Sequence, residues 1–276
     1  MATFYDFAVI DLGAVGANIV AGLARSGYSV VGVEQNAAVN ATAGYAGESR
    51  LFRVAYHEGP EYIDALMYSR EAWLRMNRTS HSPVFLPTSV VSLGHSDSLQ
   101  MERVAEAVDQ FRNPHTKLGS DELISVLPQF RNVDGDVAII DELGGVLRSE
   151  RIVQLFLHEA TSHGATITDH TRVTDIAETT SAVRIHTDQC EVTAGKVITA
   201  TGVWAQELLP WLAPIVRIDT IPLLWFLTNP GTDFSPSRLP GFIRDKGSQH
   251  ICGFPTLDGA TVKVGAVVGR KPLSVP

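Results

Sequence analysis

The chain has 276 residues, 45% of them hydrophobic and 19% charged, with a net charge of −8. That length can bury a sizeable core as one large domain or two interleaved ones, and the negative balance argues against a phosphate-backbone partner and hence against nucleic acid. Two cysteines, Cys190 and Cys252, lie far apart in no metal-type spacing. They fit a reduced, cytoplasmic setting without a disulfide framework or a metal site.

The first stretch is the most informative. Phe7 to Ile10 is a short apolar run of strand character, followed by the small-residue turn Asp11-Leu12-Gly13-Ala14-Val15-Gly16. Ala17 to Arg25 carries helix formers with Ile19, Val20 and Leu23 on one stripe, and Tyr28 to Val33 reads as a second strand closed by Glu34. Strand, glycine turn, helix, strand and acid form the βαβ unit that holds the ADP half of a dinucleotide. Gly13 would let backbone approach a pyrophosphate at the helix N-terminus, Gly16 would let helix and strand pack closely, and Glu34, about 20 residues on, would take the ribose hydroxyls. One position departs from the pattern: Asp11 stands where the first fingerprint glycine belongs, adding a Cβ and a negative charge beside the phosphates.

No basic region followed by an apolar one opens the chain, so no signal peptide is expected, and no apolar run reaches the roughly 18 residues of a membrane span. Ala41 to Gly59 is rich in small residues and contains Ser49-Arg50-Leu51-Phe52-Arg53, whose two arginines share a side if the segment is helical. They are solvated basic tips, or one faces a cofactor ring and the other forks onto a substrate carboxylate.

Pro60 to Met76 reads as an amphipathic helix with Tyr62, Leu66, Ala72 and Leu74 towards the core, and Val84 to Leu93 as a strand. Helices are expected over Ser98 to Phe111, over Ser120 to Leu127 with Ser120 as its cap, and over Glu150 to Ser162 capped by Ser149 and ended by His163-Gly164. His158 and His163 read as exposed helix residues rather than ligands. Val137 to Ile140 is a strand, and Gly144-Gly145 a turn. Short strands follow at Ala165 to Thr168, Arg172 to Ala177, Ala182 to Thr187 and Glu191 to Thr193, the last three suited to a meander. Lys196 to Ala200 is a buried-type strand running into Thr201-Gly202-Val203-Trp204, a second place where backbone can approach a ligand. Ala205 to Leu212 reads as a short helix, Asn229 to Leu239 as a loop, and Thr220 to Leu227, Gln249 to Phe254 and Thr261 to Val268 as strands.

In this order and spacing, five segments resemble the FAD-dependent amine oxidoreductase family that includes monomeric sarcosine oxidase and N-methyltryptophan oxidase. They are the Asp11–Gly16 turn, Gly47 to Arg53, Gly144 to Leu147, Ala200 to Trp204, and Gly253-Phe254-Pro255 with Val262-Lys263-Val264-Gly265. The resemblance implies an α/β fold in which a Rossmann-type FAD domain (1–80 and 145–215) interleaves with a mixed-sheet substrate domain (81–144 and 216–276). It implies that Gly13, Val15, Gly16 and Glu34 hold FAD, that Val173 flanks the adenine, and that Ser49, Thr201, Gly202 and Trp204 line the cofactor. Arg50 would lie near the flavin ring, Arg53 would bind a substrate carboxylate, and Lys263 would assist reduction of O₂, although a strand lysine can equally face solvent.

The departures count too. Ala46 stands where the family often has an aromatic or histidine, Cys252 where sarcosine oxidases place a tyrosine, and Val267 where a histidine lies nearby. The pocket is therefore expected to be less polar than a sarcosine pocket. Family members also run on well beyond Pro276, through the cysteine that bonds the flavin, so any FAD here is expected to be non-covalent. The implied reaction is oxidation of the C–N bond of a secondary amine or N-methyl amino acid, with O₂ giving H₂O₂, by a cytoplasmic, monomeric enzyme. A truncated, weakly FAD-binding remnant is the alternative, and an NAD-linked dehydrogenase a third reading favoured only by the generic βαβ unit.

Overall fold

In the computed structural model, which describes residues 3–56, 60–267 and 271–272, the N-terminal apolar run becomes β1 (Phe4–Ile10). It is followed by α1 (Ala14–Arg25), β2 (Val30–Val33), β3 (Arg50–Phe52) and α2 (Ile63–Thr79). Next come β4 (Phe85–Leu86), β5 (Val90–His95), α3 (Leu99–Phe111), β6 (His115–Leu118), α4 (Ser120–Val126) and β7 (Asp136–Asp141). β8 (Gly145–Leu147), α5 (Ser149–Ser162), β9 (Thr166–Thr168), β10 (Val173–Glu178), β11 (Val183–Thr187) and β12 (Glu191–Thr199) continue the chain. α6 (Ala205–Leu208), β13 (Asp219–Thr220), β14 (Leu223–Leu227), β15 (Gly241–Lys246), β16 (Gln249–Gly253) and β17 (Thr261–Val267) complete the elements used below. No helix among the described residues is long and apolar enough to cross a membrane.

The chain divides into two units. The first holds Met1–Glu48, Ser149–Asp219 and Pro272–Pro276, the second Ser49–Arg148 and Thr220–Lys271. Residues 49–80 and 145–148, grouped above with the first, both lie in the second, where β8 pairs with β3 and β4.

The first unit is built on a six-stranded sheet in the order β10-β11-β12-β1-β2-β9, parallel from β12 to β9 and antiparallel from β10 to β12. β1 shows why an apolar run of both parities is needed here. Val9 packs with Val20, Ala21 and Val153 of α1 and α5, whereas Ala8 and Ile10 pack with Val31, Ile185 and Ala194 on the opposite face. A parallel strand covered on both sides reads as a continuous hydrophobic stretch, not an alternation. The meander expected of β10 to β12 is present. Its last strand is longer than expected, because Glu191–Thr193 and Lys196–Thr199 are one strand. Ala194 and Gly195 do not break it: Ala194 is fully buried, and a Cβ on Gly195 would lie 3.1 Å from the Asp6 carbonyl.

The second unit carries a seven-stranded sheet in the order β14-β17-β16-β15-β5-β7-β6, antiparallel except where β15 meets β5. α4 covers one face through Leu123 and Leu127 against Val91, Leu93 and Ala138, and α3 covers the other through Met101, Val104 and Val108 against Ile139. β14 ends the sheet, and Leu224, Trp225, Phe226 and Leu227 all stand exposed. A smaller sheet has the order β3-β8-β4.

Several expectations change in this unit. The Val84 to Leu93 strand is two strands, because Pro87 lacks an N–H and Ser89 adopts a positive φ of 62°. The Pro60 to Met76 helix begins at Ile63 after a 3-10 turn and runs to Thr79, with Tyr62 exposed rather than in the core. The α4 cap is Gly119, whose N–H donates to Glu122 at 3.0 Å, so Ser120 is the first helical residue. Pro222 separates β13 from β14, and Ala205 to Leu212 is a four-residue helix followed by a separate 3-10 turn at Pro210. β15 and β6 were not foreseen, since Arg244, Asp245 and Lys246 hide β15's apolar face. Val268, expected to end β17, lies outside the described residues.

One buried carboxylate ties this unit together. Asp141, at the end of β7 and 2% exposed, accepts the Val54 N–H at 2.6 Å and the Ala55 N–H at 2.9 Å through one oxygen. Its other oxygen accepts the Leu143 N–H at 3.1 Å. Truncation leaves three N–H groups without their acceptor, and buried donors left unpaired cost about 1–3 kcal/mol each, not additively. Asp141→Ala is therefore expected to lower unfolding free energy by about 3–5 kcal/mol, read as a shifted urea midpoint at unchanged slope. A midpoint within error of the parent would mean that solvent replaces the carboxylate.

Candidate functional site

In the first unit the site grows from the turn between β1 and α1. Asp11 takes φ 74°, a left-handed conformation in which aspartate is tolerated better than most residues because its short side chain bonds locally. Its Oδ1 accepts the Gly13 N–H at 2.8 Å. Gly13 caps α1 without a side chain, and a Cβ there would crowd Asp11 Oδ1 at 3.2 Å. Gly16 is demanded more strictly: its Cβ would fall 1.8 Å from the Asp11 carbonyl oxygen. α1 opens with Ala14, Val15 and Gly16, and first-turn N–H groups have no intrahelical partner. Val15 is exposed.

Burial pushes the Asp11 carboxyl up to about 6; the Gly13 N–H pulls it down and the nearby Glu34 charge pushes it up. Glu34 itself is 4% exposed. Its Oε2 accepts the Leu12 N–H at 3.0 Å and its Oε1 the Asn36 N–H at 2.9 Å, so it braces the turn from below. Each oxygen keeps a further lone pair.

A hollow of about 430 Å³ opens at the C-terminal ends of β1, β2 and β12, the place where open α/β sheets take ligands. Of the residues singled out above, Asp11, Val173, Thr201 and Trp204 line it. Gly202, beside them, has φ 49°. Gln35, Thr171, Arg172, Thr174, Asp188 and Glu207 also line it and were not foreseen. Arg172 pairs with Glu207 at 3.1 Å across 35 positions of sequence, a separation at which no local pattern could reveal the pair.

In the second unit the structure brings together Ser49, Arg50 and Lys263. Lys263 lies on β17 opposite Trp225 of β14 and is 2% exposed, so it is not a surface lysine. Its Nζ donates to the Ser49 carbonyl at 2.6 Å and stands 3.9 Å from the centroid of the Phe254 ring. Arg50 Nη1 donates to the same carbonyl at 2.6 Å. Two cationic side chains thus share one backbone oxygen, while the buried Ser49 hydroxyl has no partner. Arg53 is turned to the Tyr56 ring, 5.2 Å from guanidinium carbon to centroid. β3 is a strand, so the helical spacing that would have put both arginines on one side does not apply. Phe254 was legible only as part of Gly-Phe-Pro, and nothing local marked it as the ring under an ammonium.

Among the described residues no group of three or more His, Cys, Asp or Glu could hold a metal ion. His158 and His163 are exposed on or just after α5. Both cysteines are free thiols, Cys190 exposed and Cys252 half-buried on β16.

Over 273 residues the chain is 29% identical to monomeric sarcosine oxidase from Streptomyces avermitilis, covering 98% of this chain and 71% of that protein. It is 26% identical to N-methyl-L-tryptophan oxidase from Salmonella dublin, covering 99% of this chain and 72% of that protein. Its fold matches that of NikD, an unusual amino acid oxidase essential for nikkomycin biosynthesis, with a TM-score of 0.82 at 18% identity over 99% of this chain and 72% of the other. Glycine oxidase from Geobacillus kaustophilus gives 0.77 at 18% identity over 99% of this chain and 73% of the other. The family described as DAO, FAD dependent oxidoreductase, matches residues 6–272, and the chain belongs to it.

Proposed function

We propose that the chain oxidises the C–N bond of a small secondary amine or N-methyl amino acid, using FAD and passing the electrons to O₂ to give H₂O₂. The residues of the first unit fit the cofactor. The hollow lies at the strand ends, beside a helix N-terminus whose first N–H groups suit an anion, and Gly16 keeps the approach close. Gly13, Val15 and Gly16 would hold the pyrophosphate. Glu34 would take the adenosine ribose with its remaining lone pairs, Val173 would flank the adenine, and Thr201, Gly202 and Trp204 would line the group. When bound, FAD supplies the hydride acceptor and the route for electrons to O₂.

The other roles fall to the second unit. Arg53 offers a planar fork to a substrate carboxylate. Ser49 and Arg50 serve the cofactor side, and Lys263 supplies a fixed positive charge as O₂ gains negative charge. The observation that carries this reading is Lys263 itself. A buried ammonium is costly, and it is kept here against a carbonyl oxygen and a ring face, where a developing anion would benefit. The names of the relatives, sarcosine oxidase and N-methyl-L-tryptophan oxidase, support an N-methyl amino acid as substrate. A second reading, weak FAD retention without turnover, is favoured by the Asp11 carboxylate sitting on the Gly13 N–H.

The test is an absorption spectrum of the purified protein followed by an H₂O₂ assay over N-methyl and primary amino acids. Visible flavin bands and peroxide from an N-methyl substrate are expected, and flavin without peroxide from any amine would favour the second reading. We further take neither Cys190 nor Cys252 to bond the cofactor, because neither stands in the family's attachment context, and the test uses the 276-residue chain. Acid precipitation should leave FAD in the supernatant, and flavin retained in the pellet would overturn this.

Lys263→Met keeps length and removes charge. It is expected to slow reoxidation by O₂ on the order of 10²-fold, as for loss of one preorganised electrostatic partner, with anaerobic reduction by substrate changed much less. Stopped-flow of the two half-reactions separates them, and a collapse of reduction with normal reoxidation would assign Lys263 to substrate binding instead.

A further inference from the structure

The turn that should receive the pyrophosphate already carries an anion. The Asp11 carboxylate lies at the edge of the hollow and bonds the Gly13 N–H, a donor at the mouth of the α1 N-terminus. Its left-handed backbone holds it there, two residues before the glycine it bonds, as a local carboxylate-to-backbone turn. We propose that this carboxylate competes electrostatically with the FAD pyrophosphate, so that the chain binds FAD with Asp11 protonated and takes up a proton on binding. The inference rests on the reading that FAD sits at this turn.

The surroundings of Asp11 are predominantly acidic. Glu34, just after β2, faces it from below, and Tyr45, further along the same segment, lies within its electrostatic reach. Asp188 and Glu207 share the hollow with Asp11, and the one basic residue lining it, Arg172, is paired with Glu207. Two phosphate charges entering here meet no uncommitted cation in the hollow lining, so the carboxyl proton is the cheapest neutralisation available.

The sign follows from linkage. Burial has already pushed the Asp11 carboxyl up to about 6 in the free protein. Bound phosphates favour the protonated form further, so the carboxyl titrates higher in the complex than in the free chain. FAD affinity is therefore flat below the free-state value and falls as pH rises through it, until the carboxyl of the complex also ionises. A separation of one to two units corresponds to a loss on the order of 10- to 100-fold between about pH 6 and about pH 8.

The experiment titrates FAD into the flavin-stripped full chain from about pH 5.5 to about pH 8.5, following quenching of flavin fluorescence. Calorimetry near pH 7 in two buffers of different ionisation enthalpy counts the protons taken up. Asp11→Asn keeps the shape, tolerates the positive φ and can still accept the Gly13 N–H, but cannot ionise. The parent should lose affinity over this range and take up a substantial fraction of a proton per FAD. Asp11→Asn should show a flat profile and bind at least tenfold more tightly near pH 8. Parallel profiles in the two proteins, or no proton uptake by the parent, would overturn the proposal while leaving FAD at this turn. If neither protein binds FAD at any pH, the location of the cofactor falls first and the proposal with it. Should Asp11→Asn fail to fold, the parent's proton count decides alone.

Discussion

Helix α1 starts where it does because nothing stands between Gly16 and the Asp11 carbonyl. With a Cβ placed 1.8 Å from that oxygen, any other residue would push the helix off β1. The rest of the first unit depends on that distance. It sets how closely α1 lies on the face of β1 that carries Val9, while Ala8 and Ile10 pack on the opposite face. It also fixes the height of the free N–H groups above the strand ends. Glu34 serves the same geometry from just beyond the neighbouring strand by taking the Leu12 N–H into a buried carboxylate. The unpaired N–H groups at the start of α1 are thus a by-product of tight strand–helix packing.

The second unit is organised differently. There, single buried acceptors gather chain from distant positions. Asp141 collects three N–H groups from two loops, and the Ser49 carbonyl collects the cations of Arg50 and Lys263, the latter 214 positions away. A carbonyl with two lone pairs can serve two donors, and sharing brings two positive charges nearer than they would stand in water. The Phe254 ring compensates on the lysine side, because a ring face attracts a cation.

What could be read from the sequence follows the range of the interaction. The βαβ unit is local, and its strand, turn, helix and acid appear in order within the first 34 residues. The meander of β10 to β12 was equally legible, since short alternating strands with tight turns carry their own signal. Arg50 and Lys263 were singled out by family pattern, yet only the folded chain puts them on one carbonyl. β15 escaped because charged Arg244, Asp245 and Lys246 interrupt its apolar pattern, and Arg244 is spent on Asp136 and on the carbonyls of Arg131 and Asn132 far away. The Arg172–Glu207 pair and the bond from Gly13 to Asp11 depend on backbone angles and tertiary approach that no spacing encodes. The fingerprint departure at Asp11 was visible as a wrong letter; its consequence, a carboxylate bonded to the Gly13 N–H, was not.

Strand β14 has apolar side chains on both faces, and four of its five residues are exposed. A strand with different faces resists slipping, because a shift by one residue turns its buried side outward; a strand apolar on both sides has no such lock. Its register against β17, Trp225 opposite Lys263, must be fixed from its ends. At one end Pro222 stops pairing, and at the other the Thr228 N–H meets the Ala260 carbonyl at 2.9 Å. Ala260 is placed in turn by Asp258, which accepts the N–H groups of Ala260 and Thr261 at 2.8 and 2.7 Å. Hydrogen bonds from Thr261, Ala260 and Thr256 hold the Asp258 carboxyl below the usual carboxylate range, so this clasp stays ionised through ordinary acid and loosens only in strong acid. The alignment that sets Lys263 on its strand is thus held by a turn of six residues, Thr256 to Thr261, whose middle residues Asp258, Gly259 and Ala260 face solvent.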